Sequence, residues 1–201
     1  MSSLPSPVPP APPATNDSSV AMIARQAIVN SQQAVVGYEL FNRSRTGPTH
    51  TAATDVALVF TALSHAGTDE LVGKKLIFVN CTHESLAGGH LELIHPDKVV
   101  LEVPTLPEGA TPEAIAACIE IFNGLKTRGF RLAFDQQVLR RAYAGWLPMA
   151  AYIKLDMTAF KPELAAPLVQ FARRYSQAEI VAEKVETAEQ MLMAVRKSLP
   201  A

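Results

Sequence analysis

The chain has 201 residues, 48% of them hydrophobic and 18% charged, with a formal net charge of -1. That length suits one domain with a sizeable core, and the hydrophobic share excludes a disordered chain. The balance of 18 basic and 19 acidic residues gives no electrostatic basis for binding a nucleic acid polymer.

Residues 1–21 are dense in proline, with no basic n-region and no apolar core. They predict an extended, disordered tail and exclude a signal peptide. No apolar run approaches the ~20 residues that span a bilayer, so no membrane association is expected. Cys81 and Cys118 lack metal-ligand spacing, which predicts reduced thiols in a cytoplasmic protein.

From Met22 onward, residues 22–201 read as a single domain. Met22 to Val29 and Ala34 to Phe41 predict two strands around the turn Asn30-Ser31-Gln32-Gln33. A polar loop leads to a helix over Ala52 to Ala66, with Ala53, Val56, Phe60 and Leu63 on one face. Lys75 to Val79 predicts a buried strand ending in Asn80, and Lys98 to Leu101 a second ending in Glu102. Pro112 to Arg128 predicts a helix, with proline at its start and Gly129 just beyond its end.

Phe130 to Phe134 predicts a strand that gives way abruptly to Asp135. Val138, Leu139, Ala142 and Tyr143 then recur at helical spacing, predicting a helix to Ala144. Trp146 and Pro148 are expected to close a loop rather than stack a base. Ala151 to Leu155 predicts a strand carrying Lys154, with Asp156 after it. A helix over Pro162 to Arg174, a strand over Glu179 to Ala182 ending in Glu183, and a helix over Ala188 to Ser198 complete the pattern.

Strands and helices alternating on short connections call for a parallel sheet, here of about seven strands. Polar residues at the strand carboxyl ends favour an α/β, TIM-like (β/α) barrel over an open sheet. No glycine-rich phosphate loop follows the first strand, which argues against Rossmann or P-loop nucleotide binding. Glu39, Asn80, Glu102, Asp135 and Glu183 all bear oxygen and would share the barrel mouth. Such hard ligands suit Mg²⁺ or Mn²⁺ and metal-assisted hydrolysis of a phosphate ester, with Lys154 beside a water or phosphate oxygen. Each acid taken singly also suits a helix N-cap or a surface position. The five histidines show no ligand spacing and read as surface or loop residues.

Tyr38-Glu39-Leu40-Phe41-Asn42-Arg43 resembles the signature of EAL domains, with Leu-Phe in place of Ala-Leu. Phe78-Val79-Asn80, Leu101-Glu102, Ala133-Phe134-Asp135, Ile153-Lys154-Leu155-Asp156 and Ala182-Glu183-Lys184-Val185-Glu186-Thr187 follow in the order of that family. The resemblance runs from about Met22 to Val195, and Ala24-Arg25-Gln26 and Ala182 to Thr187 are most like the degenerate EAL half of EAL–HDOD signalling proteins. It implies a (β/α)8 barrel that hydrolyses cyclic di-GMP with two divalent metals. By the same resemblance Glu39, Asn80, Glu102 and Asp135 are metal ligands. Lys154 and Glu183 are catalytic, and Arg43, Asp156 and Glu186 contact the dinucleotide.

Three departures point away from turnover. Gln136 stands where active members carry a second aspartate, and a neutral amide binds a hard cation far more weakly than a carboxylate. Loss of a second metal would cost several kcal/mol of transition-state stabilisation, at least ~100-fold in rate. Gln137-Val138-Leu139-Arg140-Arg141 replaces the family's glycine- and serine-rich loop. The chain also stops where the family's eighth strand would begin, which predicts an incomplete barrel with an open seam.

The expectation is a vestigial cluster holding at most one Mg²⁺ or Mn²⁺, with no cofactor required and Lys154 paired to Asp135 or Glu183. The module would act through a protein partner or by binding cyclic di-GMP without turnover. The alternative is a weak metal-dependent phosphodiesterase. A homodimer is expected through the C-terminal helix, where Met191, Leu192, Val195 and Leu199 lie at helical spacing, or through the gap beside it.

Overall fold

A computed structural model describes residues 23–29, 34–42, 73–88, 91–92, 94–159 and 161–185. The N-terminal tail, the helix expected over Ala52 to Ala66, the C-terminal helix with its dimer contact, Arg43 and Glu186 all lie outside the described residues.

Seven strands form one sheet in the order of the chain. β1 (Ile23–Val29) pairs antiparallel with β2 (Val35–Asn42). Every later pairing is parallel, through β3 (Leu76–Asn80), β4 (Val99–Val103), β5 (Arg131–Asp135), β6 (Ala150–Asp156) and β7 (Glu179–Glu183). Among the described residues β1 and β7 are the two edges of this sheet, which curls into a nearly closed barrel. All five residues of β4 are buried, as expected for a parallel strand covered on both faces.

Side-chain alternation along the strands divides the core in two. Ile28, Phe78, Val100, Ala133 and Tyr152 pack with Val36, Leu76, Ala151 and Val181 into a cluster made of strand residues, the filling of the barrel. Ile77, Val79, Val99, Leu101, Leu132, Phe134, Ile153 and Leu155 face the helices. Phe78 demands space from its neighbour. A Cβ on Gly37 would lie 2.9 Å from the Leu76 carbonyl oxygen and 3.0 Å from the Phe78 ring, so no larger residue fits.

α1 (His83–Ala87) is capped by Thr82, whose hydroxyl accepts the Ser85 N–H while Ser85 Oγ accepts the Thr82 N–H. α2 (Pro112–Thr127) starts at Thr111, whose hydroxyl accepts the Ala114 N–H. It ends in a Schellman turn: Gly129, at φ +94, donates to Lys126 and Phe130 donates to Leu125. α3 (Pro162–Tyr175) lies between β6 and β7.

The helix expected after Asp135 is instead two 3₁₀ segments, Gln136–Leu139 and Arg141–Met149, broken at the extended residue Arg140. Pro148 lacks an N–H, and aromatic packing pulls the second segment onto α2. Trp146 is fully buried among Phe122, Phe134 and Tyr143, and its indole N–H donates to the Ile115 carbonyl at 2.9 Å. It anchors the loop, as expected of a residue that stacks no base. Cys81 and Cys118 are both buried thiols, not joined in a disulfide. Among the described residues no helix is long and apolar enough to cross a membrane.

Candidate functional site: a lysine among carboxylates at the strand ends

The alternation that fills the barrel also builds its mouth. Two residues beyond Gly37, Phe78, Val100, Ala133, Tyr152 and Val181, each strand places a polar side chain on the same face: Glu39, Asn80, Glu102, Asp135, Lys154 and Glu183. Strand register brings Asn80 beside Glu102 and Asp135 beside Lys154.

Lys154 sits at the centre. Its Nζ lies 3.1 Å from Glu39 Oε2 and 2.5 Å from Glu183 Oε1, and it also donates to Glu102 Oε2. Asn80 completes the group by donating its amide to Glu39 Oε1 at 3.2 Å. Lys154, Glu102 and Glu39 are only 5%, 6% and 8% exposed, so these charges are largely without water.

Electrostatics follow from that burial. Burial disfavours the Lys154 ammonium, but the carboxylates of Glu102, Glu39 and Glu183 together outweigh it and hold the group above the ordinary lysine range. Glu102 is pushed up to about 8, chiefly by burial, with Lys154 pulling the other way and Glu39 and Glu183 adding to the rise. Burial also raises Glu183 and Asp135. One ammonium cannot neutralise three carboxylates, so retention of a proton on the most buried of them relieves the excess charge.

The expectation that Lys154 pairs with Asp135 or Glu183 holds for Glu183 and is corrected for Asp135. Asp135 Oδ1 instead accepts the Gln137 N–H at 2.7 Å, as the N-cap of the 3₁₀ turn, and Asp135 feels Lys154 and Arg140 at longer range. The nearest backbone donor wins because an Asp at such a position reaches it without moving its own main chain.

Gln136 turns its side-chain oxygen to the Asp156 N–H at 3.1 Å, tying the 3₁₀ turn to the end of β6. Asp156 is itself committed: Oδ1 accepts from the Thr158 N–H and hydroxyl, and Oδ2 meets Lys184 Nζ at 2.5 Å. Burial opposes its ionisation, but the hydrogen bonds from Lys184 and Thr158 prevail and hold it below its ordinary value. Sequence reasoning misses Lys184, because a lysine at φ +51 leaves no mark in the sequence. It misses Thr158 too, although Asp-x-Thr is a recognisable turn pattern.

The histidine reading needs a change at His83. It is half-buried, its Nε2 lies 2.9 Å from the Pro104 carbonyl, and its Nδ1 faces Cys118 Sγ at 4.0 Å. Because a carbonyl only accepts, the proton sits on Nε2.

Among the described residues no three His, Cys, Asp or Glu side chains form a group that could hold a metal ion as they stand. The Lys154 ammonium lies between the carboxylates of Glu39, Glu102 and Glu183 and offsets part of their charge without a metal ion. One feature does suit a hard ion: Glu102 Oε1 is buried and has no hydrogen-bond partner.

No family model matches the sequence. The chain is 27% identical over 175 residues to the cyclic di-GMP phosphodiesterase CdgJ of Vibrio cholerae, a match covering 84% of this chain and 39% of that protein. Among solved structures it is similar to the Bacillus subtilis YkuI protein, with an EAL domain, in complex with cyclic di-GMP and calcium. The TM-score there is 0.68 at 21% identity, covering 87% of this chain and 50% of YkuI. The EAL domain of Mycobacterium smegmatis DcpA matches with a TM-score of 0.68 at 17% identity, over 89% of this chain and 87% of that domain. This chain thus spans about two-fifths of the curated relative and half of YkuI. In fold, the chain is a (β/α) barrel like those of these EAL-domain structures.

Proposed function

We propose that this barrel is a non-catalytic EAL-type signalling module, acting through contacts with a protein partner or by binding cyclic di-GMP without turnover. The observation that carries the reading is the buried Lys154 ammonium held at once by Glu39, Glu102 and Glu183. A lysine tied to three carboxylates is not free to orient an attacking water, and those carboxylates are not free to bind a second cation. Gln136 supports the same reading, since its side-chain oxygen braces the Asp156 backbone. The site residues keep the roles inferred from their positions: Glu39, Asn80, Glu102 and Asp135 as a vestigial metal set, Lys154 and Glu183 as vestigial catalytic groups, and Asp156, Arg43 and Glu186 toward a ligand.

A second reading, a weak phosphodiesterase, is favoured by the orphaned Glu102 Oε1. Withdrawal of Lys154 would leave Glu39, Asn80, Glu102 and Asp135 as an oxygen set for one Mg²⁺ or Mn²⁺. Such an ion, when bound, would polarise a phosphate oxygen. Calorimetric titration with cyclic di-GMP, with and without Mg²⁺ or Mn²⁺, combined with chromatography for the linear dinucleotide, separates the two. Binding without product supports the module, as does no binding and no product. Linear product that disappears in Glu39→Ala supports the enzyme.

A further inference from the structure

We infer that Lys184 is the cation that meets a ligand phosphate at the barrel mouth, held in readiness by Asp156. The inference rests on the cyclic di-GMP branch of the function proposed above. A cyclic dinucleotide carries phosphodiester anions, and the mouth it would enter is rich in carboxylates: Glu39, Glu102, Asp135, Asp156 and Glu183. Lys154 is only 5% exposed and is tied to three of them, so its ammonium is out of reach of a ligand at the rim. Entry of an anion therefore calls for a cation in front of the carboxylates.

An unusual backbone places Lys184 there. Glu183 ends β7 with its carboxylate on Lys154, and a further extended residue would point to the opposite face. Lys184 instead adopts φ +51, a left-handed conformation that the described residues otherwise show only at Gly73, Gly109 and Gly129. Its Nζ comes back to Asp156 Oδ2 at 2.5 Å, two residues beyond Lys154 along β6. Glycine takes such a backbone without strain and lysine does not, so the geometry points to a use for the ammonium.

The clasp is also easily exchanged. The Lys184 side chain is 62% exposed, and an ion pair in that much water is weak. Asp156 stays satisfied when Lys184 leaves, because Oδ1 keeps the Thr158 N–H and hydroxyl. On a flexible stem, the ammonium passes from the carboxylate to a phosphate oxygen without any movement of the strands.

Calorimetric titration with cyclic di-GMP in metal-free, low-salt buffer tests the assignment. Lys184→Met should weaken binding at least about threefold, whereas Lys184→Arg, which keeps the charge, should bind as the unsubstituted chain does. Lys184→Gly removes the same charge and suits φ +51, so it should weaken binding equally and decides the matter if Lys184→Met misfolds. Lys126, whose Nζ donates to the Pro148 carbonyl just before β6 begins, lies at the other end of the strands. Lys126→Met makes the same change of net charge there and should leave affinity unaltered. Added salt should weaken the unsubstituted chain more than Lys184→Met. Full affinity in Lys184→Met and Lys184→Gly overturns the assignment and leaves the ligand reading intact. A loss matched by Lys126→Met overturns it as an effect of net charge alone. No binding by any of these chains overturns it together with the cyclic di-GMP reading, while the protein-partner reading stands.

Discussion

The side-chain oxygen of Gln136 accepts the backbone N–H of Asp156 at 3.1 Å, joining the turn after β5 to the end of β6. An aspartate in its place is one methylene shorter and cannot make the same bridge without moving the turn. Gln136→Asp should therefore lower stability by about 1 kcal/mol, the worth of one hydrogen bond, and yield no linear dinucleotide. Gln136→Glu, with the longer reach, should lose less. Urea denaturation and product chromatography check both, and hydrolysis restored by Gln136→Asp alone would show that the Lys154 ion group does not block turnover.

Lys154→Met should be far more damaging. It leaves the buried Glu39 and Glu102 and the half-buried Glu183 together with no counter-charge, and breaking a buried ion group from one side costs about 3–5 kcal/mol. The loss should be largest at alkaline pH and smaller in acid, where the carboxylates take up protons instead. Denaturation of both proteins at two pH values reads this difference directly.

Glu102 gives stability a pH dependence of defined sign. Its pKa rises from 4.5 to about 8 on folding, so between those values the folded chain holds a proton that the unfolded chain has released. Its contribution is complete below pH 4.5 and is lost as pH rises toward 8. The slope is at most about 1.4 kcal/mol per pH unit for one proton. Glu183 and Asp135, both raised, act in the same direction. Thermal melts in metal-free buffer should show a flatter slope for Glu102→Gln than for the unsubstituted protein, and equal slopes would rule out the assignment.

Gly37→Ala tests the barrel filling beneath the site. Its Cβ would meet the Leu76 carbonyl oxygen at 2.9 Å, and a strand carbonyl cannot move aside as a flexible side chain can. Destabilisation of about 1–3 kcal/mol is expected. Because Glu39 lies two residues along the same strand, the Lys154–Glu39 contact should loosen with it. A melting temperature equal to that of the unsubstituted chain would show that the sheet accommodates the methyl.

Strand order and the polar end of each strand are legible in the residues alone. Short apolar runs that stop at Asn80, Glu102, Asp135 and Glu183 are local patterns, and alternation along a parallel strand sends each terminal polar group to the face of the residue two before it. The ends of α2 were legible for the same reason, since Pro112 and Gly129 act within a single turn. The stretch after Asp135 reads as an α-helix because its apolar spacing suits either form; packing of Trp146 and Tyr143, with Pro148, decided for 3₁₀ turns. The partners of Lys154 follow from the folded arrangement of the strands. Its contacts join β6 to β2, β4 and β7, residues up to 115 positions apart, and depend on how the sheet curls rather than on any neighbour in the chain. A buried ammonium goes to the carboxylates within its reach, and Asp135 had already been taken by the N–H of Gln137.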